Sequence, residues 1–98
     1  MNYRHANRKL KRVDEDPDYN GGYTANLVKA FRRRMGAIRA ALNETNLYAW
    51  KSLHYEKLKG KRSHQRSMRL NEQFRLILEI ERDKHGNTLV VFDIEDYH

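Results

Sequence analysis

The chain has 98 residues, a net charge of +7 and a mean hydropathy of −1.01, so residues 1–98 are expected to form one compact domain with a modest core. It contains no cysteine, which excludes disulfides, thiolate metal sites and cysteine nucleophiles and fits a reducing compartment. The opening residues lack the apolar core of a signal peptide and no apolar run is long enough to cross a bilayer, so a cytoplasmic protein without a membrane partner is expected.

Taken in chain order, Ala6 to Val13 reads as a short basic helix. Asp14 to Asp18, with Pro17 and the following Asn20-Gly21-Gly22, reads as a solvated loop whose acids offset that charge. Thr24 is expected to cap a helix running to about Leu42. Leu27, Phe31, Met35, Ile38 and Leu42 recur at helical spacing as one apolar stripe, widened by Val28 and Ala41. Lys29, Arg32, Arg33 and Arg39 fall on other faces and read as solvated. Asn43 to Asn46 ends the helical pattern, and Tyr48, Trp50 and Leu53 are expected as core anchors.

After Lys59-Gly60 the period changes to two. Leu53 to Lys59 is assigned to a strand, followed by Arg66 to Leu70, an Asn71-Glu72-Gln73 turn, and a strand alternating Phe74, Leu76, Leu78 and Ile80 with Arg75, Ile77, Glu79 and Glu81. Lys84 to Asn87 is a second turn, and Thr88 to Ile94 is a strand with Val90, Phe92 and Ile94 on one face. This predicts an α+β fold, an antiparallel meander packing one face on the 24–42 helix.

Charge is unevenly placed. Lys51, Lys57, Lys59, Lys61, Arg62, Arg66 and Arg69 face one acid, Glu56, within the same stretch, whereas residues 71–98 are net acidic. A local basic run interleaved with Tyr55 and His64 suits single-stranded nucleic acid, with cations on the backbone and rings on bases. Lys57, Lys61, Arg62, His64, Arg66 and Arg69 are the candidate RNA-binding set. Arg75 should project from the face opposite Phe74 and Leu76, near Arg69, and its planar guanidinium can hold a phosphate bidentately. The five histidines show no ligand spacing, so no metal site is expected. No serine stands in a nucleophile-elbow pattern.

Leu58-Lys59-Gly60, a basic turn, the run Ser67-Met68-Arg69-Leu70-Asn71-Glu72-Gln73-Phe74-Arg75-Leu76 and the closing Asp96-Tyr97-His98 together resemble HigB toxins of the RelE/ParE superfamily. The resemblance covers roughly residues 24–98. It implies a RelE-like fold, with two N-terminal helices packed on a curved antiparallel β-sheet. It also implies ribosome-dependent mRNA endonuclease activity in the decoding A site, without metal or organic cofactor. A cognate HigA-like helix-turn-helix antitoxin would neutralise the toxin, and the complex would reach operator DNA only through that antitoxin. Carried over by position, Lys59, Arg75, Asp96, Tyr97 and His98 are the functional residues. Some relatives carry a histidine two residues before the motif leucine; here that residue is Glu56, and His54 would share its face on a strand.

The mechanism expected from the resemblance is metal-independent attack of the RNA 2′-hydroxyl on the adjacent phosphorus. Arg75 and Lys59 would clamp the phosphate, His98 and Asp96 would move protons, with Glu56 as a further candidate, and Tyr97 would orient the base or nucleotide. Three alternatives stay open: a ParE-like toxin acting on DNA gyrase, a non-catalytic RNA-binding module, and a helix-turn-helix DNA reader, the last disfavoured by the single long helix.

Overall fold

The computed structural model describes residues 1–97. Strand β1 (Asn2–His5) leads into helix α1 (Arg8–Glu15), helix α2 (Ala25–Ala40) and the short helix α3 (Glu44–Ala49), followed by strands β2 (Glu56–Lys57), β3 (Gln65–Arg69), β4 (Phe74–Asp83) and β5 (Gly86–Asp96). The strands form one sheet in the order β1-β5-β4-β3-β2. All neighbours run antiparallel except β1, which pairs parallel to β5 with Tyr3 opposite Leu89. The fold is therefore α+β with its helices against one sheet face, as the sequence predicts. The first strand, α3 and the parallel pair are additions to the expected meander.

Asn7 caps α1 by accepting from the Leu10 amide at 3.0 Å, which starts the helix later than Ala6. The helix also runs on through Asp14 and Glu15, correcting their assignment to a solvated loop. Asp14 is not a solvated offset: its side chain is buried, 3.0 Å from His5 Nε2, and it accepts from Arg39 at 3.1 Å through both carboxylate oxygens. Thr24 caps α2 as expected, accepting from the Leu27 amide at 3.3 Å. Leu27, Val28, Phe31, Met35 and Ile38 are buried along its inner stripe.

The stripe stops short of Leu42. Ala41 leaves helical conformation with ψ 138°, so Leu42 loses the helical register and is 84% exposed, while Ala41 is buried in its stead. Asn43 closes one helical pattern and caps the next, accepting from the Asn46 amide, and Leu47 of α3 enters the core. Of the three proposed anchors near here, only Leu53 is buried. Tyr48 and Trp50 are largely exposed, and Tyr48 sets its ring edge-on to Tyr55 at 4.7 Å. The Leu53 to Lys59 strand shrinks to Glu56–Lys57 because Lys51–Leu53 forms a 3₁₀ turn that ends in a left-handed His54.

On the sheet, Met68, Leu76, Leu78, Leu89 and Val91 meet Leu10, Val13, Phe31, Met35 and Ile38 in one core. The expected inner face of β5 is corrected. Leu78 pairs with Val91, but its neighbour Ile77 pairs with Asp93, leaving Phe92 as the extra residue of a β-bulge. Leu89, Val91 and Ile94 therefore face the helices, instead of Val90, Phe92 and Ile94. Val90 is buried on the opposite face and Phe92 is largely exposed. Both expected turns are present: Asn71 Oδ1 accepts from the Gln73 and Phe74 amides, and Gly86 supplies a φ of 117° at the second, where a side chain would be strained.

Candidate active site

The sheet face turned away from the helices carries the motif residues. β3 and β4 are in the register that sets Arg69 directly opposite Arg75, and β2 sets Glu56 opposite Ser67. These four residues, together with His54 and Tyr97, line a cleft of about 210 Å³. His54 reaches it by an unforeseen route. It lies outside any strand, at the end of the 3₁₀ turn, with φ 48° and ψ 44°. A non-glycine residue held in the left-handed region is a local strain that recurs at functional sites.

Tyr97 is fixed to the β3–β4 loop, with its amide donating to Gln73 O and its hydroxyl donating to Asn71 O, each at 3.1 Å. Its ring centre lies 5.4 Å from the Arg75 guanidinium carbon, within cation–π range. Two guanidiniums set on directly opposed strand positions repel one another in the absence of an anion. Arg75 Nη2 donates to Glu95 Oε1 at 3.2 Å, while its buried Nε makes no hydrogen bond to any described residue. Donor capacity and positive charge thus converge on a small concavity, the arrangement that binds phosphate.

Glu95 was not singled out by the motifs. Arg62 grips it from the other side, both terminal nitrogens donating to the two carboxylate oxygens at 2.7 Å. The Arg62 hydrogen bonds, opposed by partial burial and reinforced by Arg75, pull the Glu95 pKa down to about 2. No simple count along the hairpin finds this contact. Uninterrupted pairing from the Asp83–Gly86 end would set Arg75 opposite Ile94, and the bulge moves Glu95 into that place.

The remaining expected site residues are dispersed. Arg62 is committed to Glu95 and, through Nε, to Gln65 Oε1 at 2.8 Å. Arg66 is buried on the helix-facing side, its Nε donating to Glu44 Oε2 at 2.9 Å, and the Tyr55 hydroxyl donates to the same oxygen at 2.7 Å. Burial opposes the Arg66 cation, but Glu44 more than restores it, so its pKa is raised. Lys57 pairs opposite Arg66 and so lies across the sheet from Glu56. Lys59 and Lys61 are exposed beside the 3₁₀ turn Gly60–Arg62, outside the cleft lining. Gly60 enters that turn with φ 64°, which explains a glycine after Lys59. His64 is exposed, 3.8 Å from Glu79. Asp96 pairs opposite Phe74, on the side away from Arg75, and accepts from Gln73 at 2.9 Å. His98 lies outside the described residues.

A larger hollow of about 620 Å³ opens on the helical side between residues 17–20 and α2. It contains none of the motif residues, and Arg32 within it donates to the carbonyls of Val13, Asp16, Pro17 and Tyr19. That arginine organises the loop after α1. The cleft is the better seat of chemistry.

A small sheet with helices on one face and an arginine-lined cleft on the other has the build of the RelE/ParE superfamily of toxins. A solved structure described as YoeB/ParE toxin from Agrobacterium tumefaciens matches over 100% of both chains, with a TM-score of 0.58 and 13% sequence identity, a likeness of fold alone. No curated protein sequence matches the chain. The family model described as RelE-like toxin of type II toxin-antitoxin system HigB matches residues 3–98, and the chain belongs to that family. It is accordingly an endoribonuclease-type toxin.

Proposed function

We propose that residues 1–98 act as one toxin domain that cuts mRNA in the ribosomal A site by metal-independent transesterification. The observation that carries this reading is the convergence of Arg69, Arg75, Glu56, His54 and Tyr97 on one cleft. In the reaction, the RNA 2′-oxygen loses its proton and bonds to phosphorus. The P–O bond to the 5′-oxygen breaks, and that oxygen takes up a proton, leaving a 2′,3′-cyclic phosphate and a 5′-hydroxyl. Arg75 and Arg69 neutralise the charge that gathers on the phosphoryl oxygens, where preorganised cations stabilise the transition state most. Glu56 and His54 stand at the cleft as proton-transfer groups, and His98 is retained as a third. Tyr97 packs a nucleotide against the arginine pair. Asp96, through Gln73, steadies the chain end from which Tyr97 projects.

Lys59, Lys61 and His64 are exposed cations or potential cations near the same end of the sheet and guide the RNA backbone toward the cleft. Family membership implies a HigA-type antitoxin as partner, and operator DNA is reached through that antitoxin. Among the described residues, no helix is long and apolar enough to cross a membrane; action on ribosomes puts the protein in the cytoplasm. The test is primer extension on ribosome-bound transcripts with purified protein. Discrete cuts are expected with wild type and none with Arg75→Ala. Intact transcripts alongside gyrase-dependent DNA breaks, or salt-sensitive RNA binding without cuts, would overturn the reading.

A further inference from the structure

We infer that Glu95 is a positioning residue for Arg75, and that Arg62 serves cleavage by holding Glu95 instead of touching RNA. The inference rests on the RNA-cleaving reading above. Glu95 does not line the cleft, yet one of its oxygens reaches the Arg75 guanidinium at 3.2 Å. The carboxylate is fixed from the far side, where Arg62 meets it fork to fork with two 2.7 Å bonds. Arg62 is anchored in turn by Gln65, whose amide donates to Glu79 at 3.1 Å. The chain Glu79–Gln65–Arg62–Glu95–Arg75 thus runs across β3, β4 and β5 and ends on the cleft cation.

The geometry separates positioning from chemistry. One contact at the Nη2 corner and the Tyr97 ring together restrict rotation of the Arg75 plane. Neither consumes Nε, which has no partner among the described residues. A guanidinium oriented before substrate arrives needs no reorganisation when charge develops, which is the basis of electrostatic preorganisation. As a proton acceptor Glu95 is unsuited, because two guanidiniums stabilise its ionised form. Its carboxylate is also largely neutralised by Arg62, so it repels an incoming phosphate little.

The experiment compares wild type, Glu95→Gln, Glu95→Asp, Arg62→Gln and the Glu95→Gln/Arg62→Gln double variant in single-turnover cleavage on programmed ribosomes. Each reaction gives a maximal rate and a half-saturating concentration, and thermal unfolding confirms that each protein is folded at the assay temperature. Glu95→Gln and Arg62→Gln should each lower the maximal rate by about tenfold to a hundredfold, the scale of a misplaced catalytic group, with the half-saturating concentration unchanged. The double variant should be no worse than the worse single, because both break one link. Glu95→Asp, which keeps the charge, should recover part of the rate. A raised half-saturating concentration for Arg62→Gln would mean direct RNA contact and would overturn the inference. Wild-type rates in Glu95→Gln, or multiplicative losses in the double, would overturn it too while leaving the RNA-cleaving reading intact. Absence of cuts by wild type would remove both.

Discussion

Arg66 sits within a basic run yet points into the molecule, so its replacement separates two physical accounts of that run. In Arg66→Ala, Glu44 loses the guanidinium at 2.9 Å and retains the Tyr55 hydroxyl at 2.7 Å. The Arg66 contacts to the Ser63 and Gln65 carbonyls, at 3.2 and 3.3 Å, also disappear. Stranding one charge of a buried pair costs about 3–5 kcal/mol. The two side chains here are 10% and 18% exposed, so water reaches the orphaned carboxylate and the lower figure, about 3 kcal/mol, applies. For a domain of this size that lowers Tm by about 12–24 °C. Circular dichroism melting measures the shift, and single-turnover cleavage well below the midpoint measures the chemistry, which should be unchanged per folded molecule. A midpoint within a few degrees of wild type, with weaker and less salt-dependent RNA binding, would refute the burial argument and return Arg66 to the RNA surface.

Further expectations concern the cleft and its neighbours. Arg75→Lys keeps a positive charge but loses the planar fork, and should cut cleavage by about a hundredfold with melting unchanged, read by primer extension. His54→Ala should lower the maximal cleavage rate by about 10²-fold or more and flatten one limb of the pH–rate profile if that imidazole moves a proton; an unaltered profile would exclude it. His98→Ala should abolish growth inhibition on induction while antitoxin binding persists, and retained toxicity would remove the chain end from the mechanism. The pH dependence of stability has a definite sign at Glu95. Its folded pKa, about 2, lies below the unfolded value near 4.5, so its contribution is complete above about pH 4.5 and is lost as pH falls toward 2. Acid titration of the melting midpoint should show this loss in wild type and a smaller one in Glu95→Gln.

How much could be read from the residues alone depended on whether local pattern and tertiary need agreed. Helix α2 was legible because Leu27, Phe31, Met35 and Ile38 repeat at helical spacing behind a capping Thr24. The side on which Arg75 projects followed from the alternation of Phe74, Leu76 and Leu78, and the short Asn71 turn brought Arg69 opposite it. Strand β1 was not legible, because four mixed residues gain their order only by pairing with β5. Arg66 misled because its partner Glu44 lies 22 residues earlier, on a helix too short to announce itself. His54 shares the cleft with Glu56, as a strand would have arranged, but a left-handed turn delivers it. Glu95 escaped notice because its place beside Arg75 depends on a change of pairing that no periodicity contains.

That change of pairing has a consequence for the length of the last strand. If Phe92 were drawn into a regular ladder, Asp93 would move opposite Leu76, against the helices, and Ile94 would sit beside Arg75. Desolvating an unpaired carboxylate while wetting an isoleucine is strongly unfavourable, so the chain is locked out of that phase. Phe92 is therefore a spacer: removing it should leave Glu95 beside Arg75, whereas removing any one residue from Asp93 to Glu95 threatens to swap the polar and oily sides of everything that follows. The toxin's reactive tail is tuned by a residue count as much as by the residues themselves.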